Sequence, residues 1–352
     1  MKYSVKIGSA WGIPIELHMT FILLMAAVLV LTYPELYFFI LTMLLFVFVV
    51  VHELSHSMVA RHYRIKVRKI VLYPIGGVSE IEEIPENPRI EWRMAAAGPM
   101  ISFVIGVVLL ASYMIWTMKL PDIFSINLTG DLILDLARLN LFLGAFNLIP
   151  AFPMDGGRAF RALLAERMKF SDATRYAAFV GKFLGIVMAV FGFLYDFWLI
   201  IIGVFIYIGA SEETEQTIVS TTLARVRVRD VMYPEVASVK PETTLAEALE
   251  IMFKARYHDA LVEKDDVYQG IVTWNEIMKV RPEQRRQLRA EQLPTKQISV
   301  FADESILEAY KIMTREKIDL IPVVEKEALT KVVGVVTSEG VAYAYEKAKT
   351  LR

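Results

Sequence analysis

The sequence predicts an α-helical membrane domain of six transmembrane helices with a small membrane-surface β-sheet, followed by a soluble α/β domain. Hydrophobic residues make up 55% of the chain, more than is usual in a soluble protein. The long apolar runs all lie in residues 1–210, whereas residues 211–352 have an ordinary soluble composition. Residues 226–352 contain two similar units. The polar run that begins at Ser211 separates the two parts. We therefore expect a linker at residues 211–225.

Composition limits the chemistry that the chain can perform. The sequence contains no cysteine, which excludes disulfides and thiolate metal sites, so any metal must be held by His, Asp or Glu. The net charge is −1, and we expect no nucleic-acid partner.

Two polar segments near the N-terminus predict the β-sheet. Polar and apolar residues alternate over residues 2–7, which is typical of a strand. A second alternating run begins at Ile65 and reaches Leu72, and the turn residues from Pro74 to Val78 follow it within a segment that extends to Ile84. We expect these strands to meet at the membrane surface.

The apolar runs predict how often the chain crosses the bilayer. A crossing helix needs about 20 mostly apolar residues. Six runs are candidates, of which the last is short: 17–33, 36–60, 93–118, 132–149, 173–193 and 197–210.

The distribution of Lys and Arg between the loops predicts the orientation. One side carries nearly all the basic loop residues: Lys2, Lys6, Arg61, Arg64, Lys66, Arg68, Lys69, Arg89, Arg158, Arg161, Arg167, Lys169, Arg225, Arg227 and Arg229. The opposite loops contain only Lys119. We therefore expect a multi-pass protein of the cell membrane with both termini in the cytoplasm. Asp135 and Arg138, early in the fourth run, are expected to pair or to reach the interface.

The inner end of the second run carries the pattern H-E-x-x-H at residues 52–56. Residues four apart share one helix face, so His52 and His56 can bind one metal ion. Glu53 points about 100° away around the helix axis, where it can serve as a general base without being a ligand. The alternative is a polar helix end at the interface, but ionisable residues in an apolar run favour a functional site.

Two histidines leave a catalytic zinc short of one protein ligand. The best candidate is Asp155, which follows two prolines in the segment 147–157 and precedes paired glycines. Irregular backbone at membrane depth is tolerated where it is buried in protein or lines a polar cavity. The alternative is that Asp155 only caps the next helix.

The two segments together resemble the site-2 protease family of intramembrane metalloproteases. The resemblance consists of H-E-x-x-H at 52–56 and N-x-x-P-x-x-P-x-D-G at 147–156, both complete. It implies that His52, His56 and Asp155 hold one Zn2+ per chain and that Glu53 activates water. It also implies cleavage of the transmembrane segments of other membrane proteins in regulated intramembrane proteolysis.

The resemblance assigns roles to further residues. It implies that Asn147 contacts the substrate or the developing oxyanion, with a structural amide as the alternative. The Gly98-Pro99 element and Ser102 resemble a family feature of the third span, which we interpret mainly as helix packing. The other three histidines lack ligand spacing and are expected to be ordinary surface or interface residues: His18, His62 and His258.

An open edge of the predicted sheet could receive an unwound substrate by strand addition. The alternative is a purely structural hairpin.

The C-terminal domain contains an internal repeat in units of about 226–280 and 293–350. Thr244-Leu245-Ala246-Glu247-Ala248 is matched by Ser305-Ile306-Leu307-Glu308-Ala309, and Gly270-Ile271-Val272-Thr273 by Gly334-Val335-Val336-Thr337. This repeat resembles a cystathionine-β-synthase-type (CBS) pair, as carried by archaeal and bacterial site-2 proteases. Such pairs often bind adenine nucleotides.

The resemblance implies a nucleotide site that contains Thr273, Glu276 and Thr337, with ATP or AMP as the ligand. Gly340 stands where the second unit would carry an acid, so one half of the cleft is expected to be degenerate. The alternative is that the pair serves packing or formation of a homodimer.

Two other functions remain open at this point. One is a CBS-regulated membrane metal-ion transporter, which the absence of a repeated transport half disfavours. The other is a catalytically inert zinc-binding sensor, which would favour four protein ligands rather than three.

Overall fold

The computed structural model describes residues 4–81, 86–123, 125, 127–234, 238–265, 267–328 and 330–350. The chain divides into two compact units, Met1–Glu215 and Gln216–Arg352, a boundary that lies inside the expected linker.

A four-stranded sheet opens the first unit, with the strands in the order β1-β2-β3-β4. Its strands are β1 (Ser4–Ala10), β2 (Ile13–His18), β3 (Val67–Tyr73) and β4 (Gly76–Ile81). Both hairpins are antiparallel, and the central β2–β3 pair is parallel. The β1–β2 turn, Trp11-Gly12, has positive φ at both residues, which suits a two-residue hairpin.

The predicted sheet is present, but it contains a strand that we did not expect. Residues 17 and 18 belong to β2, so the first apolar helix begins at Met19 and not at residue 17. The sequence signals for this strand are the turn at Trp11-Gly12 and the alternating residues after it. They were not recognised because a long apolar run follows directly. Residues 2–3 and 82–84 of the predicted strands lie outside the described residues.

Seven helices in the described residues lie in the first unit, and the last of them continues past its end. They are α1 (Met19–Thr32), α2 (Tyr37–His62), α3 (Pro88–Thr117), α4 (Leu132–Asn147), α5 (Asp155–Ala165), α6 (Phe170–Tyr195) and α7 (Phe197–Leu223). Asn87 and Asp131 cap α3 and α4 by accepting hydrogen bonds from the first backbone N–H groups.

Four of these helices, within the described part of the chain, are long and apolar enough to cross a membrane: α2, α3, α6 and α7. Each of the six predicted runs is mostly helical, but α1 has 14 residues and α4 has 16. At 1.5 Å per residue, 14 residues span about 21 Å, less than the roughly 30 Å hydrocarbon core. The chain is therefore a multi-helix membrane protein, and the count of six crossings stays a prediction.

The expected linker is largely helical. Helix α7 continues from Phe197 to Leu223, so the predicted last span, 197–210, is only its first half. The polar residues after Ala210 prolong the helix because they carry no proline or glycine that would end it.

The second unit consists of two similar halves, each with a three-stranded sheet. The first half contains β5 (Ser238–Val239), α8 (Leu245–Ala255), β6 (Asp259–Lys264), β7 (Val267–Thr273) and α9 (Trp274–Met278). The second contains β8 (Val300–Phe301), α10 (Ile306–Glu316), β9 (Leu320–Val324), β10 (Val332–Thr337) and α11 (Ser338–Thr350). In both sheets the first two strands are parallel and the last two antiparallel. The repeat seen in the sequence is therefore a structural repeat.

Candidate metal centre

Helix α2 places two imidazoles on one face. His52 and His56 are one turn apart and both are buried, and their rings lie edge to face with centroids 4.9 Å apart. Glu53 follows His52 and projects from the neighbouring face, as a helical period of 3.6 residues requires. The H-E-x-x-H segment is therefore helical, as the sequence predicted.

The third predicted ligand comes from the start of α5. Asp155 is its first residue, and the segment before it is anchored by Ala151 and Phe152, which are fully buried. Asp155 Oδ2 lies 3.2 Å from His52 Nε2 and 3.1 Å from His56 Nε2. Among the described residues, these three side chains could together hold a metal ion, and they form the candidate metal-binding group.

The two ligand-atom separations that involve Asp155 fit a zinc ion. Zn–N and Zn–O bonds of about 2.0–2.1 Å in a tetrahedron place neighbouring ligand atoms about 3.3 Å apart. The separations of 3.1 and 3.2 Å to the shared Asp155 oxygen are close to that value. Two imidazoles and one carboxylate also form the three-ligand set that leaves a fourth position open in catalytic zinc sites.

The other nitrogen of each imidazole already has a partner. His52 Nδ1 lies 2.9 Å from Ser102 Oγ, and His56 Nδ1 lies 2.6 Å from the Met94 carbonyl. Because a carbonyl only accepts, His56 Nδ1 carries the proton and Nε2 is left for a metal. Such outer partners orient metal-binding histidines. Sequence analysis missed this role of α3.

A glycine on α3 allows the helices to approach this closely. A Cβ atom added at Gly98 would lie 2.2 Å from His56 Nε2 and 2.4 Å from His52 Nε2. We interpreted Gly98 and Ser102 mainly as packing residues. Their i,i+4 spacing places both on one face of α3, and that shared face was the signal in the sequence.

A cavity of about 420 Å³ opens onto the metal-binding group. Glu53 and Asn147 line it, and so does the edge strand β4 from Gly76 to Ser79. The Asn147 amide donates to the Leu143 carbonyl at 3.0 Å. This contact uses one of the two amide protons and leaves the other for a further acceptor.

Helix α5 is fixed by a buried charge cluster. Arg161 Nε donates to Glu91 Oε1 at 2.8 Å, and Arg161 Nη1 donates to Glu213 Oε1 at 2.6 Å. Its guanidinium also lies over the rings of Phe152 and Phe170. These contacts tie α5, which carries Asp155, to α3 and α7.

Other polar residues noted in the sequence have structural contacts. His18 accepts a hydrogen bond from Thr20 N and caps α1, and His258 Nδ1 lies 3.2 Å from Asp319 Oδ2. Asp135 and Arg138 pair at 3.7 Å, as expected, and Asp135 also accepts from Thr129 N.

Comparison with known proteins identifies the family. Residues 39–132 and 123–190 match the profile of Peptidase family M50. Zinc metalloprotease MJ0392 of Methanocaldococcus jannaschii is 40% identical over 283 residues, which are 79% of this chain and 80% of that protein. The chain belongs to Peptidase family M50. The chain is also similar to the solved structure of a site-2 protease from Methanocaldococcus jannaschii, with 44% sequence identity and a TM-score of 0.47, covering 60% of this chain and 95% of that chain.

The chain is also similar to putative zinc metalloprotease Rip3 of Mycobacterium tuberculosis. It is 29% identical over 248 residues, which are 66% of this chain and 61% of that protein. Residues 228–283 and 290–347 match the CBS domain profile, in agreement with the two structural halves. The protein is thus an intramembrane zinc metalloprotease of the site-2 protease type with a C-terminal CBS pair, and the transporter and sensor alternatives are set aside.

The three residues predicted for nucleotide binding lie at corresponding helix starts in the CBS pair. Thr273 Oγ1 accepts from Glu276 N at 3.2 Å, and Thr337 Oγ1 accepts from Gly340 N at 3.1 Å. An added Cβ at Gly340 would lie 3.2 Å from the Tyr233 ring. In the second half, an aromatic ring therefore borders the position where the first half carries Glu276.

The two halves also meet through a buried carboxyl group. Asp259 begins β6, is 3% exposed, and its Oδ2 accepts from Asp319 N at 2.6 Å. Burial raises the pKa of Asp259 to about 6, although the hydrogen bond from Asp319 N opposes the rise.

Proposed function

We propose that the chain cleaves peptide bonds within transmembrane segments of other membrane proteins, with His52, His56 and Asp155 as zinc ligands. The observation that carries this proposal is the convergence of two imidazole nitrogens on one Asp155 oxygen at the wall of a cavity. Zinc in such a set lowers the pKa of a water toward about 7 and polarises the scissile carbonyl.

Glu53 is the proposed general base. It lines the same cavity as the three ligands, from the next position along α2. Its carboxylate takes the proton of the attacking water and later delivers it to the leaving nitrogen.

Asn147 is proposed to donate its second amide proton to the substrate carbonyl as negative charge develops there. Its position on the cavity wall supports this role, since a donor held at the site stabilises an oxyanion without reorganisation. The contact to Leu143 fixes the amide for that purpose.

Strand β4 is proposed to receive the substrate. In the described part of the chain, it pairs with β3 on one side only, and it lines the cavity beside Glu53. A helical substrate must unwind to be cut, and an open strand edge can pair with the unwound backbone. Substitutions across residues 70–78 test this idea, with changes at Val5 and Ile7 of the opposite edge strand as controls. Variants of 70–78 that keep zinc and cleave normally would contradict it.

The proposed orientation has both termini in the cytoplasm, in accordance with the asymmetric distribution of Lys and Arg. Accessibility labelling of tags at each terminus in sealed vesicles would test it, and labelling of either tag from outside intact cells would contradict it.

The CBS pair is proposed to bind ATP or AMP through Thr273, Glu276 and Thr337 and thereby to regulate cleavage. The matching hydroxyl contacts at the starts of α9 and α11 support two related half-sites, of which the first keeps its acid. Calorimetry with ATP and AMP, comparing wild type with Glu276→Ala and with Glu308→Ala as a control on α10, would test it. Flat titrations for the wild type would contradict it.

A homodimer through the CBS pair is also proposed. The mass of the detergent-purified chain, with and without residues 216–352, would test it.

The proposed activity is tested with a membrane-protein reporter and the detergent-purified chain. Chelation should abolish cleavage, zinc should restore it, and mass spectrometry should place the cut within the reporter's transmembrane segment. Cuts confined to soluble loops would contradict the intramembrane assignment.

A further inference from the structure

We propose that Ser79 is a positioning residue that holds the carboxylate of Glu53 in its working orientation. The proposal rests on the proposed role of Glu53 as the general base. It assigns a catalytic task to β4 besides the proposed reception of substrate.

The contact is a directed chain of hydroxyl groups. Ser79 Oγ donates to Glu53 Oε2 at 2.7 Å, and Ser57 Oγ donates to Ser79 Oγ at 3.3 Å. A carboxylate can only accept, so the single proton of Ser79 points at Glu53 and its lone pair is left for Ser57. Ser57 is fully buried one turn after Glu53 on α2. Hydrogen bonds in such a chain polarise one another.

The backbone of β4 confines the same side chain. A Cβ atom at Gly77 would lie 2.5 Å from Glu53 Cγ and 3.3 Å from Glu53 Cδ. Residues 77 and 79 project from the same face of the strand because side chains alternate with a period of two. That face of β4 therefore packs on the aliphatic part of the Glu53 side chain at Gly77 and donates a hydrogen bond to its carboxylate at Ser79.

The hydrogen bond from Ser79 to Glu53 Oε2 determines what the other carboxylate oxygen, Oε1, can do. Among the described residues, Glu53 Oε1 has no hydrogen-bond donor, so it is left for the water that must be deprotonated. A glutamate side chain has three rotatable bonds, and without Ser79 its carboxylate would sample other rotamers. A smaller fraction of enzyme molecules would then have the base in place at any moment.

An orienting role and a purely structural role of Ser79 predict different effects on kcat and KM. If Ser79 served only to shape the substrate-receiving strand, its loss would raise KM. If Ser79 orients the base, its loss lowers kcat and leaves KM unchanged, because the missing contact matters in the chemical step.

The experiment measures kcat, KM and bound zinc for the full-length purified protein with a transmembrane reporter. The variants are Ser79→Ala, Ser79→Thr and the control Ser112→Ala, whose hydroxyl donates to the Val108 carbonyl of its own helix. We expect Ser79→Ala to lower kcat by about 10–100-fold, by analogy with the loss of a partner that orients a metal ligand, with KM and zinc unchanged. Ser79→Thr keeps the hydroxyl and should recover most of the rate. Wild-type kcat in Ser79→Ala, a loss confined to KM, or failure of Ser79→Thr to recover the rate would overturn the proposal.

Glu53→Gln separates this proposal from the proposed function. If Glu53→Gln cleaves as well as wild type, the general-base assignment fails and the role of Ser79 fails with it. If Glu53→Gln is inactive while Ser79→Ala is fully active, only the positioning role fails. Ser79→Ala added to Glu53→Gln should cause no further loss of residual rate, since Ser79 acts through Glu53.

Discussion

His52 Nδ1 and Ser102 Oγ lie 2.9 Å apart, and the contact joins the helix that carries H-E-x-x-H to the helix beside it. It leaves Nε2 of His52 directed at Asp155. The metal-binding group therefore depends on α3 as well as on the elements that carry the ligands.

Ser102→Ala should weaken zinc binding by about 10–100-fold, the usual cost of losing an outer-shell partner of a metal ligand. Competition with a chelator of known affinity measures this, with Ser112→Ala on the same helix as the control. Equal zinc affinity in both variants would show that Ser102 does not orient His52.

Gly98→Ala should abolish zinc binding and cleavage. The new methyl group would lie 2.2 Å from His56 Nε2, so the imidazoles or α3 would have to move. Gly8→Ala is the matched control, because an added Cβ there meets nothing within 4 Å. Metal analysis of the purified variants measures the effect, and a full zinc complement in Gly98→Ala would contradict the close approach of α3.

Arg161→Met should destabilise the first unit, Met1–Glu215. It leaves Glu91 and Glu213 without their shared partner, and breaking a buried ion pair typically costs about 3–5 kcal/mol. The thermal midpoint in detergent should fall, and adding Glu91→Gln should recover part of the loss. An unchanged midpoint in Arg161→Met would mean that the cluster contributes nothing to stability.

Asp259 should make the stability of the CBS pair depend on pH. Its folded pKa of about 6 lies above the ordinary value of about 3.9, so the folded state holds the proton more tightly than the unfolded state. The stabilisation from this linkage is complete below about pH 4 and is lost as the pH rises through about 6, with an upper limit of about 3 kcal/mol.

The measurement is urea unfolding of residues 216–352 between pH 4.5 and 7.5, followed by the fluorescence of Trp274, the one tryptophan in that segment. The free energy of unfolding of the wild type should fall with rising pH relative to Asp259→Asn, which cannot titrate at this position. Parallel pH profiles would contradict the raised pKa.

The convergence of His52, His56 and Asp155 could be predicted because its signals are local or specific in spacing. His52 and His56 share a face through the helical period alone, and the proline- and glycine-rich segment marked Asp155 as a residue of irregular backbone. The sequence contains no comparable signal for the Met94 carbonyl, because any residue carries one and only the packing of α3 brings this one to His56.

The errors and omissions in the fold also have physical reasons. Strand β2 runs directly into α1, so its alternation merged with the apolar run and the predicted span began two residues early. Helix α7 continues through the polar residues after Ala210 because helices tolerate polar residues that are not proline or glycine. Ser79 lies in an edge strand whose contact with Glu53 depends on tertiary packing.

The most direct test of the central claim is cleavage of a transmembrane reporter by wild type and Glu53→Gln, with zinc measured in both. Because Glu53 is the proposed base and not a ligand, the variant should keep its zinc and lose about 10²–10⁴-fold in rate. Cleavage at the wild-type rate by zinc-loaded Glu53→Gln would contradict the account, and loss of zinc from the variant would contradict the separation of base from ligands.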